Sequence, residues 1–188
     1  MTLTTLDPKS ALVVIDLQQG IVAMDTAPHA SADVVSRSAA LAEAFRAQGL
    51  PVVLVRVSGG PAVPGRIEAA GGSRTRPEGW DVVVDELAPL GDVVVTKRNW
   101  GAFYGTDLDL QLRRRGVTQI VLTGIATSIG VESTARAAHE HGYHVTFATD
   151  AMADRSAENH QHSVDQIFPR LGERGTTAGV LELLASTR

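Results

Sequence analysis

Two charged residues and one bare turn could do chemistry in a chain that has no cysteine. Asp16 closes the apolar run "ALVVID" (11–16), and Lys97 closes "GDVVVTK" (91–97). The turn "GIATSIGVESTAR" (124–136) follows a third apolar run, "QIVLTG" (119–124). A carboxylate at a strand end is partly desolvated, which raises its pKa; a neighbouring ammonium lowers it again. Together they make a group able to trade a proton near neutral pH. The same pair could equally be an ordinary ion pair at the sheet edge. The turn offers backbone N–H groups at a helix start, which stabilise anions and developing oxyanions. Gly130 lets a substrate approach the backbone closely. Thr127 and Ser128 are the hydroxyls in reach. The turn lacks the G-x-S-x-G elbow, and no histidine is placed by the sequence to serve Ser128.

These residues can meet only if the chain brings strand ends together. Five runs read as strands: 11–16, 51–57, 91–97, 119–124 and 144–150. Each is nearly continuous in apolar residues rather than alternating, the mark of strands buried on both faces in a parallel sheet. A sixth, weaker strand falls near 173–177. Helical patterns fill the gaps. One begins at Ser31 and ends at Gly49. One opens with Thr106 and Asp109 in capping-box spacing and ends at Gly116. One ends at Gly142, one starts after Ser156 and is ended or kinked by Pro169, and "AGVLELLAS" follows. Strands alternating with helices predict an α/β fold, doubly wound, as one domain over 1–188. Ligands in such sheets bind outside the carboxyl ends of the strands, where Asp16, Lys97 and the 124–130 turn would converge. The fifth strand is expected to end there too, at Asp150. Gln18, just after Asp16, and Trp100 and Phe103, just after Lys97, are candidate pocket walls. The Gly-, Pro- and Arg-rich segment 58–80 follows the second strand. Its Arg66, Arg74 and Arg76 could hold a substrate carboxylate or merely solvate the loop.

The bulk numbers exclude several classes. The chain has 188 residues, 44 % of them apolar and 20 % charged, and a net charge of −4. That charge argues against nucleic acid and anionic membranes as partners. No run approaches the roughly 20 apolar residues of a membrane span. The first ten residues do not read as a signal peptide, so the expected location is cytoplasmic. His139 and His141 are two apart on a helix, as are His160 and His162, so neither pair shares a face. No metal and no cofactor is expected, and the partner would be a small-molecule substrate.

The pattern as a whole resembles the isochorismatase-like hydrolase superfamily. The resemblance rests on "ALVVIDLQQGIV", "VVTKRNWGAFYGTDLDLQLRRRGV", "IVLTGIATSIGVESTARAAHEHGYHVTFATDAMADRS" and "TTAGVLELL", and spans roughly residues 9–184. It implies a Rossmann-like three-layer α/β/α sandwich on a six-stranded parallel sheet, and a homo-oligomer (dimer or higher) with contacts around the loop after Lys97. It implies that Asp16 and Lys97 are catalytic, that Ile125–Ala126 is a cis peptide, and that the amides of Ala126 and residue 130 face the substrate, with Ser128 beside them. Amidase members carry a nucleophilic cysteine at the position of Gly130; isochorismatases of secondary metabolism carry glycine there. Without a thiol the covalent route to amide hydrolysis is closed. The resemblance therefore implies a cysteine-independent hydrolase cleaving a vinyl ether. A protonated Asp16 would act as acid, while Lys97 would tune it and hold a substrate oxygen. "IAT" and "VEST" look like the amidase branch. The alternative is thus an amidase-lineage protein that lost its cysteine and became another Asp/Lys-dependent enzyme or a non-catalytic binder.

Overall fold

A computed structural model describes residues 3–59 and 76–186. Arg66 and Arg74 lie outside the described residues. The sheet has six strands, all parallel, in the order β3-β2-β1-β4-β5-β6. These are β1 (Ser10–Ile15), β2 (Val52–Val57), β3 (Val93–Lys97), β4 (Gln119–Ile125), β5 (His144–Ala153) and β6 (Glu173–Gly175). The helices are α1 (Gln19–Val22), α2 (Ser31–Ala47), α3 (Leu108–Arg114), α4 (Glu132–Glu140), α5 (Ala157–His162) and α6 (Thr177–Ser186).

The unbroken apolar runs follow from helices on both faces. Along β1, Leu12 and Val14 pack with Val34, Leu41 and Phe45 of α2 and with Val180 and Leu184 of α6. Ala11, Val13 and Ile15 point the other way, onto Leu108 and Leu112 of α3 and Ala135 and Ala138 of α4. The result is the three-layer α/β/α sandwich. The edge strand β3 differs: its apolar run is covered on one face only, and Val94 is exposed.

Two expectations are corrected. The fifth strand does not end at Asp150. Its pairing with β4 jumps from Phe147 opposite Leu122 to Met152 opposite Gly124, a bulge that lets the strand run on to Ala153. Asp150 caps α6 instead, accepting from Thr177 N at 2.6 Å and Thr177 Oγ1 at 2.9 Å. The Thr106–Asp109 capping box is also not made. Thr106 Oγ1 accepts from Leu108 N at 3.2 Å, whereas Asp109 takes the Tyr143 hydroxyl at 2.7 Å and pairs with Arg113. Ser156 does cap α5, accepting from Asn159 N at 3.4 Å, and Pro169 lies in a 3₁₀ turn beyond it.

The strand order fixes where a ligand can sit. From β1 the chain moves outward to β2 and β3, then crosses back to β4 on the other side of β1. The reversal lies between β1 and β4, which stay paired as far as Ile15 opposite Gly124, and ligands of such sheets bind beyond the carboxyl ends there.

Candidate active site

Asp16 follows β1 at this reversal. Its φ is +54°, the left-handed region that aspartate tolerates better than most residues. Its N–H is tied to Val55 O at 2.8 Å, so the turn is fixed to the neighbouring strand. Lys97 ends β3, two strand spacings or about 10 Å from β1. Only a long side chain crosses that gap, and Lys97 Nζ reaches Asp16 Oδ2 at 2.8 Å. The two side chains are 2 % and 7 % exposed. Nζ also donates to Trp100 O at 2.8 Å and to Asn99 O at 3.2 Å. An ammonium has three donors, so all of Lys97's are committed. Lys97 therefore tunes Asp16; holding a substrate oxygen as well would require giving up one of these carbonyls.

Burial pushes the Asp16 carboxyl up to about 6, against the opposing pull of Lys97 and, more weakly, of Arg76. Oδ2 is held by Lys97, while Oδ1 is buried without a hydrogen-bond partner among the described residues. A buried polar atom left alone is costly and rare. Here it is the free oxygen of a group that titrates near neutrality.

Gly130 completes the core of the site. A Cβ placed on it would lie 3.1 Å from Asp16 Oδ2, 3.6 Å from Lys97 Nζ and 3.0 Å from Ile15 Cγ2. A side chain at 130 would thus stand directly on the acid pair, and glycine leaves that space clear. Gly130 lies in a π-helical turn, Thr127–Val131, entered through a cis Ile125–Ala126 bond. Ala126 O accepts from Ile129 N and Val131 N, both at 3.2 Å. The turn is pinned from behind. Ser128 N donates to Asp154 Oδ2 at 2.7 Å, and Thr127 Oγ1 pairs with His160 Nδ1 at 2.8 Å. Burial and nearby His29 hold His160 below the ordinary imidazole range.

Gln18 and Phe103 are placed differently from expectation. The Gln18 amide bonds backbone: Nε2 to Val57 O at 3.0 Å and Trp80 O at 3.3 Å, and Oε1 from Val57 N at 2.8 Å. Phe103 packs in the core against His141 and Tyr143. The Trp100 ring is exposed, and that residue reaches the site through its carbonyl. Ala126 and Ser128 stand on the turn beside Gly130.

Two residues escaped the sequence reading as parts of the site. Asp154 and His160 hold the turn; Asp154 sits beyond a bulge that no local pattern announces. Arg76, read as a possible holder of a substrate carboxylate, is placed by a return segment. Residues 80–84 return antiparallel to 17–20, with Gln19 N to Val82 O at 2.8 Å and Val84 N to Leu17 O at 3.2 Å. That places Trp80 over Gly20, where a Cβ would run into the indole. The Arg76 guanidinium lies 3.8 Å over the Trp80 ring.

Fold and site together define an α/β enzyme scaffold with a buried Asp–Lys pair at its switch point. The isochorismatase domain model matches residues 10–179, and the chain belongs to that family. It is similar to the isochorismatase family protein YecD of Escherichia coli, at 46 % identity over 183 residues, covering 93 % of this chain and 96 % of that protein. An isochorismatase family protein of Burkholderia thailandensis superposes with a TM-score of 0.91 at 47 % identity, covering 97 % of this chain and 98 % of that one. Further off is the ureidoacrylate amidohydrolase RutB of Stutzerimonas stutzeri, at 33 % identity over 174 residues, covering 78 % of this chain and 68 % of RutB. The family is one of hydrolases.

Proposed function

We propose that this hydrolase cleaves a vinyl ether in a small molecule, with Asp16 as the acid and without a covalent intermediate. The observation that carries the reading is the split duty of the Asp16 carboxylate. Lys97 holds one oxygen, and the other is buried and free to carry a proton. With a pKa of about 6, about half of Asp16 is protonated at pH 6 and about a tenth at pH 7. Protonated Asp16 gives its proton to the vinyl CH₂ carbon, leaving an oxocarbenium ion. Water adds to that cation and returns a proton to Asp16. The hemiketal then collapses to a ketone (pyruvate, for a pyruvyl enol ether) and the alcohol. Lys97 keeps the carboxylate in place between turnovers. The glycine at 130 gives the substrate the space a thiol would fill. We infer a homo-oligomeric enzyme whose partner is its small-molecule substrate.

The test is incubation with isochorismate while pyruvate is followed in a coupled assay. Turnover should fall by about 10²–10⁴-fold in Asp16→Asn, the usual worth of a positioned acid. Wild-type turnover in that variant rejects Asp16 as the acid.

The kinship with an amidohydrolase favours one second reading, an amidase scaffold that lost its cysteine. A Cβ at 130 would fall within contact distance of both Asp16 and Lys97, where the pair could take a thiol proton. Gly130→Cys should then release ammonia from ureidoacrylate or other small amides, measured with glutamate dehydrogenase. A folded variant with no ammonia release counts against this lineage.

A further inference from the structure

The acid pair and the glycine wall come from different parts of the chain, and a single hydroxyl joins them. Thr134, in the first turn of α4, donates from Oγ1 to Gly130 O at 2.6 Å. The same oxygen accepts from Ala102 N at 3.1 Å. A helical threonine bonding the carbonyl four residues back is commonplace. The bond from Ala102, 32 residues away, is not. Ala102 lies in the loop whose Asn99 and Trp100 carbonyls hold Lys97 Nζ. That loop lies tight on the helix: a Cβ on Gly101 would approach Ser133 O to 3.3 Å. Thr134 and Ala102 are both fully buried, so water cannot replace the link.

We propose that Thr134 is a positioning residue, whose hydroxyl ties the Lys97-holding loop to Gly130 and so fixes the spacing of the acid pair and the glycine wall. A hydroxyl is the smallest side-chain group that donates and accepts at once. Valine has nearly the same shape and does neither; it leaves the buried Ala102 N–H without a partner. The loop then shifts, its carbonyls hold Nζ less firmly, and Lys97 bears less closely on Asp16. The role rests on Asp16 acting as the acid, as proposed above.

The test reads Asp16 directly and needs no substrate. The Asp16 carboxyl is titrated by ¹³C NMR in the full-length protein; Lys97 and Arg76 are the charges that face it. Thr134→Val should raise the midpoint by about half a pH unit or more, because the ammonium's opposing pull weakens. Thr134→Ser keeps both bonds and should titrate as the wild type. Thr134→Ala is the substitute if the valine variant fails to fold. A folded valine or alanine variant with the wild-type midpoint overturns the proposal, as does a serine variant shifted as far as valine. With isochorismate as substrate, the valine variant should lose about tenfold in kcat with KM within about twofold, the signature of a transition-state defect. If no vinyl ether is turned over at all, the acid reading fails, while the titration still decides whether Thr134 positions the pair.

Discussion

Asp16 holds a proton in a place where Lys97 works to remove it. Burial wins, and the carboxyl stands near 6 against 3.8 in an unfolded chain. The sign of the linkage follows. An acid whose folded pKa is raised stabilises the fold fully below the unfolded value, and that contribution is lost as pH rises through the folded pKa. Stability owed to Asp16 should therefore be present at pH 3.5 and gone by pH 6.5. A displacement from 3.8 to about 6 corresponds to about 3 kcal/mol at 1.36 kcal/mol per unit. Asp81, Asp109 and Asp165 have lowered pKa values, so their contributions are lost only as pH falls below the ordinary carboxylate range. Denaturant unfolding of wild type and Asp16→Asn across pH 3.5–7 separates the two. The difference between the curves should slope between pH 4 and 6. A flat difference would mean that Asp16 ionises normally and is no acid catalyst at neutral pH.

At the scale of elements, the site is a set of strand-end segments held from behind by side chains of other segments. The clearest case is the platform of Gly20, Trp80 and Arg76. The Trp80 carbonyl accepts from Gly20 N at 2.9 Å and its indole covers Gly20. Gly20→Ala cannot keep that packing and should cost about 1–3 kcal/mol, as overpacking does. It should also move Arg76 away and let the Asp16 pKa climb. Trp80 is one of two tryptophans, so its fluorescence reports the displacement, with Trp100 alone left after Trp80→Phe as control. An unchanged spectrum and midpoint would show that the platform has no hold on the site. This arrangement also marks what a sequence can yield. Asp16 and Lys97 were legible because an apolar run ending in a charge places that charge at a sheet's carboxyl edge. Gly130 was legible through its place after β4. Trp80 was not, and Arg76 was legible only as a charge of the long loop, since their placing depends on a return segment without periodic pattern. Asp154 was hidden by the bulge, and Gln18 and Phe103 were misplaced because adjacency along the chain does not say which way a side chain turns.

At the scale of the whole molecule, the homo-oligomer proposed above would bear on the site through the loop after Lys97. Trp100 and Tyr104 are 68 % and 80 % exposed on it, in a chain with only 4 % aromatic residues. Single exposed apolar residues are normal, but two amphipathic rings four residues apart, on a loop anchored by Lys97 and Thr134, are what subunit contacts use. Each ring can bury about 150–250 Å², so the pair would supply up to about half of the roughly 800 Å² per subunit that a stable interface needs. Sedimentation at micromolar concentration should therefore give at least twice the 19.8 kDa of one chain. Trp100→Glu with Tyr104→Glu should reduce it to one chain, because two carboxylates cannot be buried there unpaired. Since the Trp100 carbonyl is one of the groups holding Lys97, dissociation should also loosen that lysine and raise the Asp16 midpoint. A wild-type protein that sediments as a single chain, or a doubly substituted one that still associates, would place the contact elsewhere and uncouple assembly from the acid.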